Sequence, residues 1–183
     1  MPPSPDKKLE ERILQAAMRL WRALGPRGMT LRAVAQQAGT TTPTVYKRFR
    51  NKQALQIALA LRARQQLLEE LFSAATVEEI PARYVDYAER HPNECQLLWS
   101  TWTDIFHPNL PRPGRSWFLA RLAERFGGKP EDYSRAFYAF FLLAHGAATL
   151  LTVPGDAAAR DEVRHNFLSL CDSFIRNIEI FRD

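Results

Sequence analysis

Helical periodicity runs through almost the whole chain, and proline and glycine cut it into short lengths. No segment alternates apolar and polar residues as a half-buried strand would. The pattern therefore predicts an all-α fold of about nine helices. The first runs from a cap at Asp6 to the break at Gly25-Pro26, with an apolar stripe of Leu9, Ile13, Ala16, Ala17, Leu20 and Leu24. Thr30 caps a second over 31–38, and Gly39 supplies the turn that follows. Thr42 as cap and Pro43 at the first helical position open a third, which ends near Phe49. Asn51 caps a fourth over 52–74. Punctuation then marks helices over 80–90, 94–106, 116–126, 130–153 and 157–182.

Charge divides this chain unevenly. Residues 1–52 hold 11 Lys/Arg against 3 Asp/Glu, whereas residues 53–183 hold 14 against 17. The whole excess of the +5 net charge thus sits in the N-terminal third. A solvated basic face would show the same bias, but so would a polyanion-binding head on a neutral or mildly acidic body. Division into a head over 1–52 and a body over 53–183 is the expected organisation.

Several function classes lose support. Cys95 and Cys171 are too few for a disulfide framework and form no CxxC-type metal motif, so both read as buried thiols. His91, His107, His145 and His165 lack metal-ligand spacing. No GxSxG, HExxH or GxxxxGK[ST] occurs, and no metal, cofactor or catalytic residue is expected. The N-terminus has no apolar signal segment and no window reaches about 18 uninterrupted apolar residues, so the expectation is a cytoplasmic chain with no membrane. An α-helical enzyme with a vestigial head remains the least supported reading.

The stretch TLRAVAQQAGTTTPTVYKRFRNK, residues 30–52, combines a short helix, a glycine turn and a second short helix, studded with hydroxyls and cations. A helix-turn-helix needs a positioning helix, a sharp turn and a recognition helix short enough to seat its N-terminus in the major groove. Val34, Ala35, Ala38, Val45 and Phe49 would form the shared core. Thr41, Thr42, Thr44, Lys47 and Arg48 then face outward, where threonine hydroxyls and methyls can meet base edges or phosphates. Arg32 can fork onto a guanine, while Tyr46, Lys52 and the backbone near Thr30 suit phosphate oxygens.

Ala35, Gly39, Pro43-Thr44, Tyr46, Phe49, Lys52 and Leu55, with the approach Gly28-Met-Thr30-Leu-Arg32, resemble the signature of the TetR (tetracycline-repressor-like) family. Thr40 departs from the small aliphatic residue usual after the glycine, and Arg48 stands where histidine is common. The resemblance implies an all-helical homodimer: a three-helix DNA-binding head, a linking fourth helix, and a ligand-binding and dimerising body. It carries DNA contacts over to Thr30, Arg32, Thr41, Thr42, Pro43, Thr44, Tyr46, Lys47, Arg48 and Lys52. The implied partners are a palindromic double-stranded operator, a second copy of the chain and an unknown small-molecule effector. The implied role is a repressor.

In the body, His145-Gly146 resembles the HG element in the regulatory domains of one branch of that family. Aromatics at helical spacing read either as packed core or as the lining of an apolar cavity for a hydrophobic or aromatic effector. The candidate ligand set is Trp99, Trp102, Phe106, Trp117, Tyr133, Phe137, Phe141 and His145, with Asp104, His145, Tyr133 and Arg121 as possible polar anchors. The eighth and ninth helices, with small residues from Ala144 to Ala148, could form a four-helix dimer interface or simply be internal core. A body that binds a protein partner or serves only as structure, with no effector, is the alternative.

Overall fold

A computed structural model describes residues 7–101, 111–153 and 155–183. Asp6, Trp102, Asp104, Phe106 and His107 lie outside them, as does the end expected for the sixth helix. Among the described residues there are nine α-helices and no strand. They are α1 (Lys7–Gly28), α2 (Leu31–Gln37), α3 (Thr42–Arg48), α4 (Lys52–Phe72), α5 (Ile80–Arg90), α6 (Pro92–Ser100), α7 (Pro113–Phe126), α8 (Ser134–Thr152) and α9 (Ala157–Arg176). Short 3₁₀ turns at Val77–Glu79, Pro130–Tyr133 and Ile178–Phe181 precede α5, precede α8 and follow α9.

The helices sort into two compact units. The first, called the head, holds α1–α3, α4 as far as Ala63, and the end of α6 from Leu97; the second, the body, holds the remainder. In the head α1 packs on α2 and α2 on α3. Its core is Ile13, Ala16, Ala17 and Trp21 from α1, Val34 and Ala35 from α2, Val45 from α3, and Leu55 and Leu59 from α4. Burying each large side chain is worth roughly 1.5–3 kcal/mol over leaving it in water. The stripe on α1 differs from expectation at its end: Trp21 is buried while Leu24 is 59% exposed. Gly25, at φ 63° and ψ −165°, breaks the helix right after Leu24, and the chain doubles back so closely that a Cβ on Gly28 would strike the Leu24 side chain. Leu24 therefore covers the reversal instead of the core.

In the body α5, α8 and α9 pack on one another, and α7 packs on α8 and the Pro130–Tyr133 turn. Two helices begin earlier than expected, α6 at Pro92 and α7 at Pro113. Proline lacks an N–H that the first helical turn does not use, so it opens these helices as readily as it closes the preceding ones. α9 ends at Arg176, and the Ile178–Phe181 turn takes the place of its expected last turn.

Pro130–Thr152 is long and apolar enough, by length and composition, to cross a membrane, yet a third of that window is buried inside the fold. One face of α8, with Ala136, Phe140, Ala144, Ala148 and Leu151, is covered; the other exposes Tyr138, Leu142, Leu150 and, just past the helix, Val153.

Candidate nucleic-acid interface

Local side-chain bonds set the geometry of the helix-turn-helix. The Thr30 hydroxyl accepts the Ala33 N–H at 3.1 Å and starts α2. At the other end the Thr40 N–H donates to the Ala35 carbonyl at 2.9 Å and the Gly39 N–H to Gln36 at 3.2 Å. This is a Schellman ending, and Gly39 at φ 63° supplies the left-handed residue it requires. The N-cap of α3 is Thr41, one residue before the expected Thr42: its hydroxyl accepts the Thr44 N–H at 3.4 Å and shares a hydrogen bond with the Thr44 hydroxyl at 2.8 Å. With Thr41 as cap, Thr42 becomes the first helical residue and Pro43 the second, where no intrahelical N–H bond is lost.

Val34 and Val45 are fully buried, and Ala35, Ala38 and Phe49 nearly so, as the motif requires. That packing turns Arg32, Thr41, Pro43, Tyr46 and Lys47 to solvent, with Tyr46 54% exposed, and leaves Thr42, Thr44 and Arg48 half-buried. Thr30 is exposed beside its own cap bond. A face of hydroxyls, a phenol and cations, with no carboxylate from α2 or α3, is suited to a phosphate backbone and the base edges between phosphates.

The Lys52 ammonium has a further duty, donating to the Pro26 carbonyl. It thereby ties the start of α4 to the end of α1, and an ammonium keeps two more N–H donors for a phosphate. The Asn51 side chain caps α4 through the Ala54 N–H at 2.8 Å. Farther along, Arg62 bonds Glu11 at 2.7 Å, and that bond, then Gln15, holds the Glu11 carboxyl below its ordinary range.

Six of the eight residues of the proposed ligand set are described. Phe137, Phe141 and His145 form a stacked run on α8, with centroids 5.9 and 6.2 Å apart. Burial lowers the His145 pKa. Tyr133 is fully buried, but its hydroxyl donates to the Gly127 carbonyl at 2.7 Å and Arg182 covers its ring at 5.3 Å. It closes the turn between α7 and α8. Trp117 is half-buried against Phe72, 4.9 Å between centroids. Trp99 is half-buried in the part of α6 that belongs to the head. Of the suggested anchors, Arg121 is engaged with Glu124 at 2.9 Å and with the Ala75 carbonyl.

Sequence reasoning passed over Tyr84, which the fold places deeper than Arg121 or His145. Its ring lies 6.3 Å from Phe140 and 6.5 Å from Phe167. Phe140 in turn stacks on Phe118 at 4.9 Å, and Phe118 meets Phe137 at 6.1 Å. One aromatic train thus runs from Tyr84 to His145.

Comparisons with known proteins agree with this geometry. The family described as "Bacterial regulatory proteins, tetR family" matches residues 13–59, from α1 into α4. A TetR-family transcriptional regulator from Haemophilus influenzae is similar in fold, with a TM-score of 0.57 and 17% identity over 91% of this chain and 97% of that one. FadR of Thermus thermophilus, a TetR-family transcriptional repressor in complex with lauroyl-CoA, is similar at a TM-score of 0.53 and 23% identity, covering 87% of this chain and 91% of its own. No curated protein matches the sequence.

Proposed function

From a chain that belongs, by its head, to the tetR family of bacterial regulatory proteins, we infer a DNA-binding repressor that an apolar effector releases from its operator. The observation that carries the DNA half is the recognition helix itself: a seven-residue α3, capped by Thr41, that buries Val45 and turns Tyr46 and Lys47 outward. Thr42, Pro43, Thr44 and Arg32 would read base edges in the major groove. Thr30, Thr41, Tyr46, Lys47, Arg48 and Lys52 would hold flanking phosphates. Contacts of the second kind fix register, and those of the first kind choose sequence.

A palindromic operator calls for two copies of the head, and the bare apolar face of α8 is the feature that supports a homodimer. Tyr138, Leu142, Leu150 and Val153 are each about half exposed or more, an arrangement that a second copy would cover. The two recognition helices would then enter successive grooves, roughly 34–36 Å apart per helical turn. Residues 1–52 would work as one rigid DNA-binding piece, and α4 would carry motion to it from the regulatory residues 53–183.

The effector reading rests on the aromatic train of the body. Lauroyl-CoA is the ligand of the Thermus protein; for this chain it supports an apolar ligand class. A ligand that fits one arrangement of the body better than another shifts the population toward it and, through α4, alters the spacing of the heads. Such a chain acts where the DNA is, in the cytoplasm, with no enzymatic step.

The test is a titration of the duplex upstream of the chain's own coding sequence. Binding should weaken steeply with salt, as counterions are released from each neutralised phosphate. Arg32→Ala should cost about 1–3 kcal/mol and relax the sequence preference, while Lys47→Ala should weaken all sequences alike and reduce the salt slope by about 1. Salt-independent binding, or variants indistinguishable from the parent, would remove the proposed contact set.

A further inference from the structure

Tyr84 presents a polar atom that the packing of the body does not explain. The residue is 6% exposed, and its hydroxyl has no hydrogen-bond partner among the described residues. Buried hydroxyls almost always have one, because water stripped from the group must be replaced. Two other buried hydroxyls meet that demand. Tyr133, deeper still, donates to the Gly127 carbonyl at 2.7 Å, and Thr101 in the head donates to the Leu97 carbonyl at 2.9 Å.

The described neighbours of the ring are aromatic. Phe140 and Phe167 flank the ring. Burial first, then Cys95 and Tyr87, push the phenol well above its ordinary pKa, and among the described residues no cation lowers it. Burial pushes the Cys95 thiol up to about 12, so it too stays protonated. At neutral pH Tyr84 is therefore a donor without an acceptor, at the inner end of the aromatic train that reaches His145.

We propose that Tyr84 is the polar anchor of the effector site, donating its hydroxyl proton to a single uncharged acceptor, a ketone or ester carbonyl, on an otherwise apolar or aromatic ligand. This rests on the reading of the body as a sensor and narrows it to a ligand class. A carboxylate or phosphate would arrive at Tyr84 with no cation to replace its hydration, and burying it there would cost far more than one neutral hydrogen bond returns. A plain hydrocarbon would fill the aromatic walls but leave the hydroxyl as it is. A carbonyl does both jobs.

The experiment compares 2-acetonaphthone with 2-isopropylnaphthalene, which matches its shape without the carbonyl oxygen, in the parent protein and in Tyr84→Phe. Tryptophan fluorescence reads affinity, and the infrared carbonyl stretch reads the hydrogen bond. The parent should prefer the ketone by roughly tenfold, and the variant should bind both within about twofold. The bound carbonyl stretch should move to lower frequency in the parent and return in the variant. Without probe, Tyr84→Phe should melt at or above the parent's temperature, since it removes a hydroxyl that nothing satisfies.

Equal affinities in the parent, no binding of either probe, an unshifted carbonyl stretch, or a variant that melts several degrees lower would each overturn the anchor. The operator titration separates this from the wider reading. If both proteins hold the duplex and only the ketone preference fails, the anchor falls and the regulator stands. If the parent ignores the duplex, the regulator falls whatever the probes do.

Discussion

The head and the body turn opposite kinds of surface outward. On the head α2, α3 and the α3 cap expose Arg32, Gln36, Gln37, Thr41, Pro43, Tyr46 and Lys47, and among the described residues Leu24, Tyr46 and Leu61 are its exposed large hydrophobics. On the body, α8 presents Tyr138, Leu142, Leu150 and Val153 along one side, and α9 adds Leu170. Each face matches a different partner. Phosphates and base edges want donors held at set distances, whereas a second protein surface wants apolar area that leaves water. The accounting of polar groups differs at one hydroxyl. In the head Thr30, Thr41 and Asn51 each satisfy a helix N–H three residues on. In the body the Tyr84 hydroxyl is left for something else.

The sharpest break of this comparison is Leu142→Glu. Leu142 is 66% exposed, so the change should leave the monomer's unfolding nearly untouched. If α8 is the dimer face, two carboxylates would meet across it, and sedimentation should show monomer. Operator affinity should then fall by roughly 10²–10⁴, the advantage that linking two binding modules confers. A variant that stays dimeric would assign the apolar face of α8 to some other partner and leave the head's charge as the one part of the contrast with a known meaning.

Backbone conformation gives the next effect, on the head alone. Gly25 sits at φ 63° and ψ −165°, a region that is essentially glycine's own, while Gly39 at φ 63° fills the left-handed position of a helix ending. Neither has an atom within 4 Å of where a Cβ would stand, so substitution brings strain without collision. Gly25→Ala should cost about 1–3 kcal/mol and Gly39→Ala about 1–2, with Gly39→Asn milder than either. Urea denaturation of the three variants checks the order. Equal losses at 25 and 39 would show that the break in α1 is not as constrained as its angles imply.

These two glycines also mark what a sequence reveals and what it does not. Turn chemistry is local, so the break at Gly25, the turn at Gly39 and the caps at Thr30 and Asn51 could be read from neighbours within a few residues. Proline is ambiguous in the same local language: Pro92 and Pro113 read as stops, yet each opens a helix. Among three consecutive threonines, composition cannot say that Thr41 and not Thr42 supplies the cap, because that depends on where the Gly39 turn aims the chain. The α1 stripe fails at Leu24 for a tertiary reason, the reversal onto Gly28. Aromatic spacing on α8 correctly placed Phe137, Phe141 and His145 together. It could not reveal that the Tyr133 hydroxyl has a carbonyl and the Tyr84 hydroxyl has none, since period reports burial and says nothing of partners.

The smallest expected effect concerns the seam along α4. Its first turns are tied to α1 at two points, Lys52 to the Pro26 carbonyl and Arg62 to Glu11 at 2.7 Å. The body has a comparable tie, Arg164 gripping Asp86 and Glu89 at 2.6 Å each. In the head pair the side chains are 34% and 47% exposed, so solvent screens the attraction and the bond should contribute no more than about 1 kcal/mol. Its sign with pH is set by Glu11, whose carboxyl pKa lies lower in the folded protein than its ordinary value of 4.5. Above that ordinary value the contribution is fully present, and it is lost as pH falls through the lowered one. Glu11→Gln should therefore lower stability slightly at neutral pH and match the parent in strong acid, where both carry a neutral side chain. Arg62→Ala, however, should also loosen α4 from the head and so weaken operator binding more than its cost in stability alone would account for. Parallel losses in both measurements would mean that the ties at Lys52 and Arg62 do not couple the first turns of α4 to α1.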